Sequence, residues 1–577
     1  MSYNNTKLVA GLLGYALLAC SISGCSFDSF SKTATETSSG NSSSATEITY
    51  LNADDMFTDR DKEVGYDEDT ATAITLSDNA SSCDSSSVSI SDNTITITDE
   101  GTYLLTGSLS DGQVIVNAND KKVQLVLDSV DINCDTSAAL YVKAADKVFV
   151  TLASDSENTL SNTNDFVAID DNNIDAVIFS KDDLTLNGSG TLTVTAKYGH
   201  GIVSKDDLVI TSGTYQITAA KHALSGQDSV RIADGILTLN AGTDGIHSEN
   251  TDDDTKGFIY IANGDISITA DSDGFDAEET LQVDGGNIEV YAGDDGLHSD
   301  DDLIITAGTI NVTKSYEGLE GMTVTIEDGD ISVVSSDDGI NASGDGSSGD
   351  SSSDTKDSSA DNNSGDTNAN DSNTKGSNSN KKDYFTPPSG EDKKTPPNGN
   401  AGPGDGNGGP GGSNGGLGGG NGGPGGGIEE ATDYNLIQIS GGKIYINASG
   451  DGIDSNGNLT VTGGEIYVDG PTSGGDGALD CSGTALISGG TVIAVGSSGM
   501  SENFDSSSAQ GSIITTVSDS MITGDITLTD SDGNTIVSYS PSKEYSSIVI
   551  SCADLKEEKD YTLVAGDTNT SVSLDQK

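Results

Sequence analysis

The chain of 577 residues has no Trp, only 10 Phe and 9 Pro, and sets 26 Lys and Arg against 92 Asp and Glu. The resulting formal charge of −66 excludes nucleic acid as a partner, disfavours bare anionic polymers and makes metal cations the natural counter-ions. With no indole, any aromatic platform has to come from the few Phe and the 18 Tyr. Long apolar runs are missing as well. Residues 8–19, after Lys7, form an apolar stretch too short to span a bilayer as a mature helix, and it has the form of a signal-peptide core. A disulfide framework is also lacking, because Cys83, Cys134, Cys481 and Cys552 lie far apart without regular spacing and read as packed thiols.

What is present is Gly, 73 residues of it, with abundant Ser, Thr, Asn and Asp and short runs of Ile, Val, Thr and Leu. This is the composition of strands punctuated by turns, so an all-β chain is expected. The apolar core ends at Ile22-Ser23-Gly24-Cys25, which resembles a bacterial lipobox, with Leu17-Leu18-Ala19-Cys20 as a competing match and a simple secretory leader as the plainer alternative. The expected protein is extracellular and anchored to the bacterial cell membrane by lipid on Cys25. Residues 1–25 are then the leader. Residues 26–49, rich in Ser and Thr and poor in apolar side chains, form a tether.

A repeat organises the rest. Asp244-Gly245-Ile246-His247 returns as Asp273-Gly274-Phe275-Asp276, Asp295-Gly296-Leu297-His298, Glu317-Gly318-Leu319-Glu320 and Asp338-Gly339-Ile340-Asn341, the glycines stepping by 29, 22, 22 and 21 residues. A second set, Gly213, Gly235, Gly264, Gly286, Gly308 and Gly329, keeps the same series after an initial step of 22. Two markers with one spacing define one coil of about 22 residues with two fixed corners, and the extra seven residues fall in the loop 248–257. Stacked coils of short strands predict a parallel β-helix, a solenoid with β caps at its ends; a corner Gly is expected to supply positive φ.

The organisation that follows is an N-terminal cap and β-helix over residues 50–343 and a Gly/Ser/Pro-rich insertion over 344–430 that is disordered by composition. The β-helix continues over 431–505, and a C-terminal β cap occupies 506–577. Loop-closure entropy grows only logarithmically with length, so the insertion is read as an excursion from one continuous helix, with two separate domains as the alternative.

Equivalent residues of stacked parallel strands lie about 4.8 Å apart. The column before the marker Gly then reads His200, His222, Asp244, Asp273, Asp295, Glu317, Asp338, Asp451 and Asp476. The column two places after it reads Val203, Ser225, His247, Asp276, His298, Glu320, Asn341 and Asp454. Any single Asp-Gly is ordinary turn chemistry. A row of carboxylates is different: neighbours repel by about 1 kcal/mol in water and a few kcal/mol at an effective dielectric near 20, so the row persists most easily when cations bridge it. Ca²⁺ is the expected cofactor, on Asp244, Asp273, Asp276, Asp295, Glu317, Glu320, Asp338, Asp451 and Asp454. His247, Asp276 and His298 leave a transition metal as the alternative. His247, His298, Tyr198, Phe275 and Tyr316 are candidate ligand-binding residues near the row.

Met56-Phe57-Thr58-Asp59-Arg60-Asp61, Gly101-Thr102-Tyr103 with Gly107, the Asp-Gly-Ile-His/Asp ladder, the Gly-rich insertion and Tyr539-Ser540-Pro541-Ser542-Lys543 together make nearly all of residues 50–574 resemble the carbohydrate-binding-domain family of bacterial surface proteins. The resemblance implies a right-handed parallel β-helix related in architecture to pectate lyases. It also implies bound Ca²⁺ and non-catalytic binding of extracellular polysaccharide such as cellulose or polygalacturonate. The residues test that implication in two ways. With no Trp the stacking signal is weak, and an anionic glycan could meet so acidic a surface only through bridging Ca²⁺. A Ca²⁺-dependent polysaccharide lyase stays open, although Lys197, Lys205, Lys221, Lys256 and Lys314 read as surface lysines without a partner that would make one a base. An adhesin without glycan specificity is the third reading, and a monomer is expected.

Overall fold

The computed structural model describes residues 48–344, 432, 434–557 and 559–574; the leader, most of the tether and nearly all of the insertion lie outside the described residues. Among those described there is no α-helix, and 39 strands join one large, mostly parallel sheet.

The pairing rule is simple. Most strands in the repeat lie parallel to the strand three places before and the strand three places after; where Leu297–Ile305 and Leu319–Ile326 each run two strands of a coil together, the step is two. His200–Ser204, Asp207–Ile210 and Thr214–Ala219 pair with Leu224–Gly226, Ser229–Ile232 and Ile236–Ala241 through Ile202↔Leu224, Leu208↔Val230 and Tyr215↔Leu237. The register holds across the undescribed stretch, where Val324, Ile331 and Ile340 pair with Ile437, Ile444 and Ile453. Parallel pairing already begins at Thr72–Leu76, against Tyr103 to Gly107. Among the described residues, antiparallel strands are confined to the hairpin of Val88–Ser91 with Thr94–Ile97 and to the C-terminal end. There, Ile526–Thr529, Thr535–Tyr539, Asp560–Ala565 and Thr568–Ser573 form a separate four-stranded sheet.

Period-two alternation puts every second side chain inside. The inward column Ile202, Leu224, Ile246, Phe275, Leu297, Leu319, Ile340 and Ile453 is fully buried, and it belongs to one continuous core. Each such side chain contributes about 1.5–3 kcal/mol by leaving water.

The two glycine markers work differently. At the second set φ is positive, 97° at Gly286 and 130° at Gly264, which only Gly tolerates readily. The Gly of Asp-Gly does not have positive φ. A Cβ on Gly274 would stand 2.4 Å from both the carbonyl oxygen of Gly296 and Val290 Cγ1, so close approach of the next coil selects Gly there.

Residues 49–63 run across the coils as a strap. Thr49 N–H donates to Asp302 Oδ2 at 3.3 Å, Leu51 N–H to Gln282 Oε1 at 2.7 Å and Arg231 Nη1 to the Met56 carbonyl at 3.1 Å. Asp61, 1% exposed, accepts from the Thr185 hydroxyl at 2.7 Å and faces Lys147 Nζ at 2.9 Å.

Candidate functional site

One narrow strand of each coil, three residues long at Ile246–Ser248 and Phe275–Ala277, carries the Asp-Gly marker at its start. Its central residue points away from the core. Cα pairing runs Val203, Ser225, His247, Asp276, His298, Glu320, Asn341, Asp454 and Asp480 down successive coils. The sequence-derived columns therefore exist in space, with one displacement: Asp480, four residues after Asp476, takes the place beside Asp454.

The marker carboxylates do not cap their own turns. Asp244 Oδ1 accepts the N–H of Asp273 at 3.2 Å, Asp273 that of Asp295 at 2.7 Å, and Asp295 that of Glu317 at 3.0 Å. Asp338 and Asp451 do the same for Asp451 and Gly477, at 2.6 and 2.5 Å. Each acid thus spends one oxygen on the next coil's backbone, a charge-assisted bond. The second oxygen is left on the edge. Glu317 departs from the series because its longer side chain instead accepts the amide of Asn341 at 2.7 Å.

The edge is electrostatically uncompensated. Burial first, and then like charges nearby, push the carboxyls of Asp273 and Asp451 up to about 7, Asp454 to about 8 and Asp338 to about 6, with Asp295 and Glu317 also raised. Asp276 is the exception: burial raises it, but His298 at 3.3 Å and the His247 ring outweigh that and hold it low. His298 in turn lies 3.5 Å from Asp300 and 3.6 Å from Glu320; burial pulls its imidazole down, but the contact with Asp276 and then the charges of Glu320 and Asp300 outweigh that and raise it to about 10. His200 is driven the other way, down to about 2, by burial and then by the neighbouring His222.

Among the described residues, ligand atoms lying within 4.8 Å of one another gather in five groups: His222, Asp244 and His247; Asp273, Asp276 and His298; Asp273, Asp294 and Asp295; Asp295, Glu317 and Glu320; and Asp338, Asp451 and Asp454. All nine acids expected from the sequence fall in these groups. Asp294, His222 and Asn341 were missed. Asn341 is 6% exposed, its amide nitrogen donates to Glu317, and its amide oxygen is buried without a hydrogen-bond partner between Glu320 and Asp454. Ca²⁺ takes about six to eight hard oxygens, carboxylate and amide carbonyl alike, so the donor set and the orphaned amide oxygen fit that ion. The signal for Asn341 was its place in the column; its neutrality hid it.

The aromatic candidates separate. Phe275 is 0% exposed in the inward column and offers no face to a ligand, which corrects its reading as a binding residue: the period that places Asp276 outside places Phe275 inside. Tyr198 is half-buried, with Lys197 Nζ 5.6 Å from its ring centroid. Tyr316, next to Glu317, is 47% exposed, and Tyr291, 46% exposed, lies under Lys314 Nζ at 4.8 Å. Among the lysines, Lys256 pairs with Asp228 in the loop 248–257.

Residues 91–345 match the model of a family described as carbohydrate-binding domain-containing protein, a span that holds the edge from its first histidine to Asn341. Over those residues the chain is similar to that family. A carbohydrate-binding domain-containing protein of Acetivibrio thermocellus is 38% identical over 135 residues, 23% of this chain and 47% of the relative, so the match spans about half of that relative's length. A solved structure described as the polysaccharide lyase-like protein from C. thermocellum, gadolinium derivative, is 33% identical, covering 41% of this chain and 97% of its own with a TM-score of 0.40. The family segment ends short of Asp451 and Asp454, which extend the same columns beyond it.

Proposed function

We propose that this protein holds an extracellular polysaccharide of plant cell-wall type, cellulose or polygalacturonate, without catalysis, on a Ca²⁺-bearing edge of a right-handed parallel β-helix. The observation that carries the reading is the row of carboxylates, buried at Asp244 and Asp295 and half-buried at Asp273 and Asp338, each with one oxygen fixed by the next coil's backbone and the other on the edge. Asp273, Asp295, Glu317, Glu320 and Asn341 would hold Ca²⁺ in one part of the row, and Asp338, Asp451 and Asp454 in another. The ion would supply positive charge able to bridge the protein's acids and a uronate carboxylate or glycan hydroxyls. Tyr316 adds an exposed ring beside the row. Right-handed winding is supported by the general preference of parallel crossover connections.

The tripartite start, leader 1–25, tether 26–49 and lipid on Cys25, would put the edge outside the cell, and residues 344–430 would leave one corner as an insertion. Metabolic labelling with a fatty acid, lost in Cys25→Ala, tests the anchor. Retention on insoluble cellulose and on polygalacturonate gels, with and without chelator, tests the function. Chelator-sensitive retention on either glycan is expected; no retention on both would overturn it. A sustained rise in absorbance from unsaturated products on incubation with polygalacturonate would replace the non-catalytic reading with a lyase.

A further inference from the structure

The acidic edge changes chemistry at its N-terminal end. His200, His222 and His247 come from three successive coils and stack, with ring centroids 4.7 Å apart and planes 21° apart in the first pair, and 4.3 Å and 11° in the second. This follows from the fold, because parallel in-register strands bring equivalent side chains to about 4.8 Å. Asp244 stands among them. Its Oδ1 is held by the N–H of Asp273, and its Oδ2 is 2.7 Å from His222 Nδ1. A ring nitrogen of His247 completes a set of three donor atoms, all within 4.8 Å of one another.

We propose that His222, Asp244 and His247 form a site for a borderline divalent transition cation, Zn²⁺ in class, distinct from the oxygen-only groups further along the edge. Two imidazoles and one carboxylate are donors for such an ion and poor ones for Ca²⁺, which prefers hard oxygens.

An independent observation points the same way. His247 Nδ1 is buried with no hydrogen-bond partner, while its Nε2 faces Asp276 Oδ2 at 3.6 Å and Glu249 Oε2 at 3.8 Å. One nitrogen unclaimed and the other set against carboxylates is the division found in metal-ligating histidines, whose second nitrogen is oriented by an outer acid. Tetrahedral Zn²⁺ with Zn–N near 2.0–2.1 Å sets its donors about 3.3 Å apart; the His222–Asp244 pair, at 2.7 Å, has to open slightly, and the His247 nitrogen, within 4.8 Å of both, has to close by at most about 1.5 Å. Three protein donors leave a fourth position for water or a ligand oxygen. His298 is not part of this site: Asp276, Asp300 and Glu320 surround it at 3.3–3.6 Å.

The test uses the full chain, stripped of metal and then saturated with Ca²⁺. Titration with Co²⁺ should give one equivalent with the visible bands of nitrogen ligation, displaced by Zn²⁺ and not by further Ca²⁺. His222→Gln and His247→Gln should each weaken it about tenfold or more, while Asp338→Asn leaves it unchanged. Displacement of Co²⁺ by Ca²⁺, or parental affinity in both histidine variants, would overturn the proposal. Should those variants fold poorly, the unaltered chain answers, since it has only four histidines. Zn²⁺ should shift the ¹⁵N signals of two of its four imidazoles, and shifts in none or in all four would overturn the site.

Discussion

Asp273 Oδ1 accepts the backbone N–H of Asp295 at 2.7 Å, so an acid on one coil fastens the turn of the next coil 22 residues later. The same bond recurs from Asp244, Asp295, Asp338 and Asp451. A residue type that looks like turn chemistry in sequence is thus an inter-coil tie, and its leftover oxygen builds the edge.

Because Asn can accept the same backbone N–H, Asp295→Asn separates the tie from the charge. In the metal-free protein it should raise the melting temperature, since it removes one of several acids crowded by burial and by Glu320. The increment gained on adding Ca²⁺ should shrink. Paired thermal melts of parent and variant, with and without Ca²⁺, check both signs.

The metal-free protein should be more stable at pH 5 than at pH 8. Asp273, Asp451 and Asp454, with carboxyls raised to about 7, 7 and 8, bind protons in the folded state that the unfolded chain, near 4, has released. Their contribution is full below about 4 and is lost as pH rises through 7 to 8. Saturating Ca²⁺ should flatten the dependence by taking the protons' place. A melting temperature that rises with pH in chelator would contradict this.

Asp61→Ala should cost about 3–5 kcal/mol, because it removes the near carboxylate from buried Lys147 and leaves it only Asp183, at 3.8 Å. The parent's Asp61 carboxyl sits low, at about 2; burial opposes this, but Lys147, Thr58 and Thr185 outweigh it. Its contribution is therefore present above the unfolded value near 4 and lost as pH falls through about 2. Denaturant midpoints measure the loss, and faster protease cleavage near residues 49–63 would report release of the strap.

Phe275→Ala and Tyr316→Ala should differ in kind. The first empties a fully buried position and should cost about 3–5 kcal/mol. The second removes a half-exposed ring and should change stability by about 0.5 kcal/mol or less while weakening retention on glycan gels. Equal retention by parent and Tyr316→Ala would remove that ring from the binding surface.

The sequence by itself determined the strand-rich class, the 22-residue register and the columns of acids, because a parallel stack in strict register turns sequence period directly into spatial neighbourhood. Asp244, Asp273, Asp295 and Glu317 could be placed side by side from spacing alone, and the alternation that put Asp276 outside should have put Phe275 inside. Only the tertiary structure decided which oxygen of each acid is used, since that depends on side-chain reach: Asp touches the next coil's N–H, while Glu317 meets Asn341 instead. It also decided the one-place shift at Asp480 and the course of the strap, where Leu51 meets Gln282 across 231 residues with no repeat to announce it. Periodic contacts are written in the spacing of a chain; contacts made once, by an aperiodic segment lying across the coils, exist only when the coils have already been stacked.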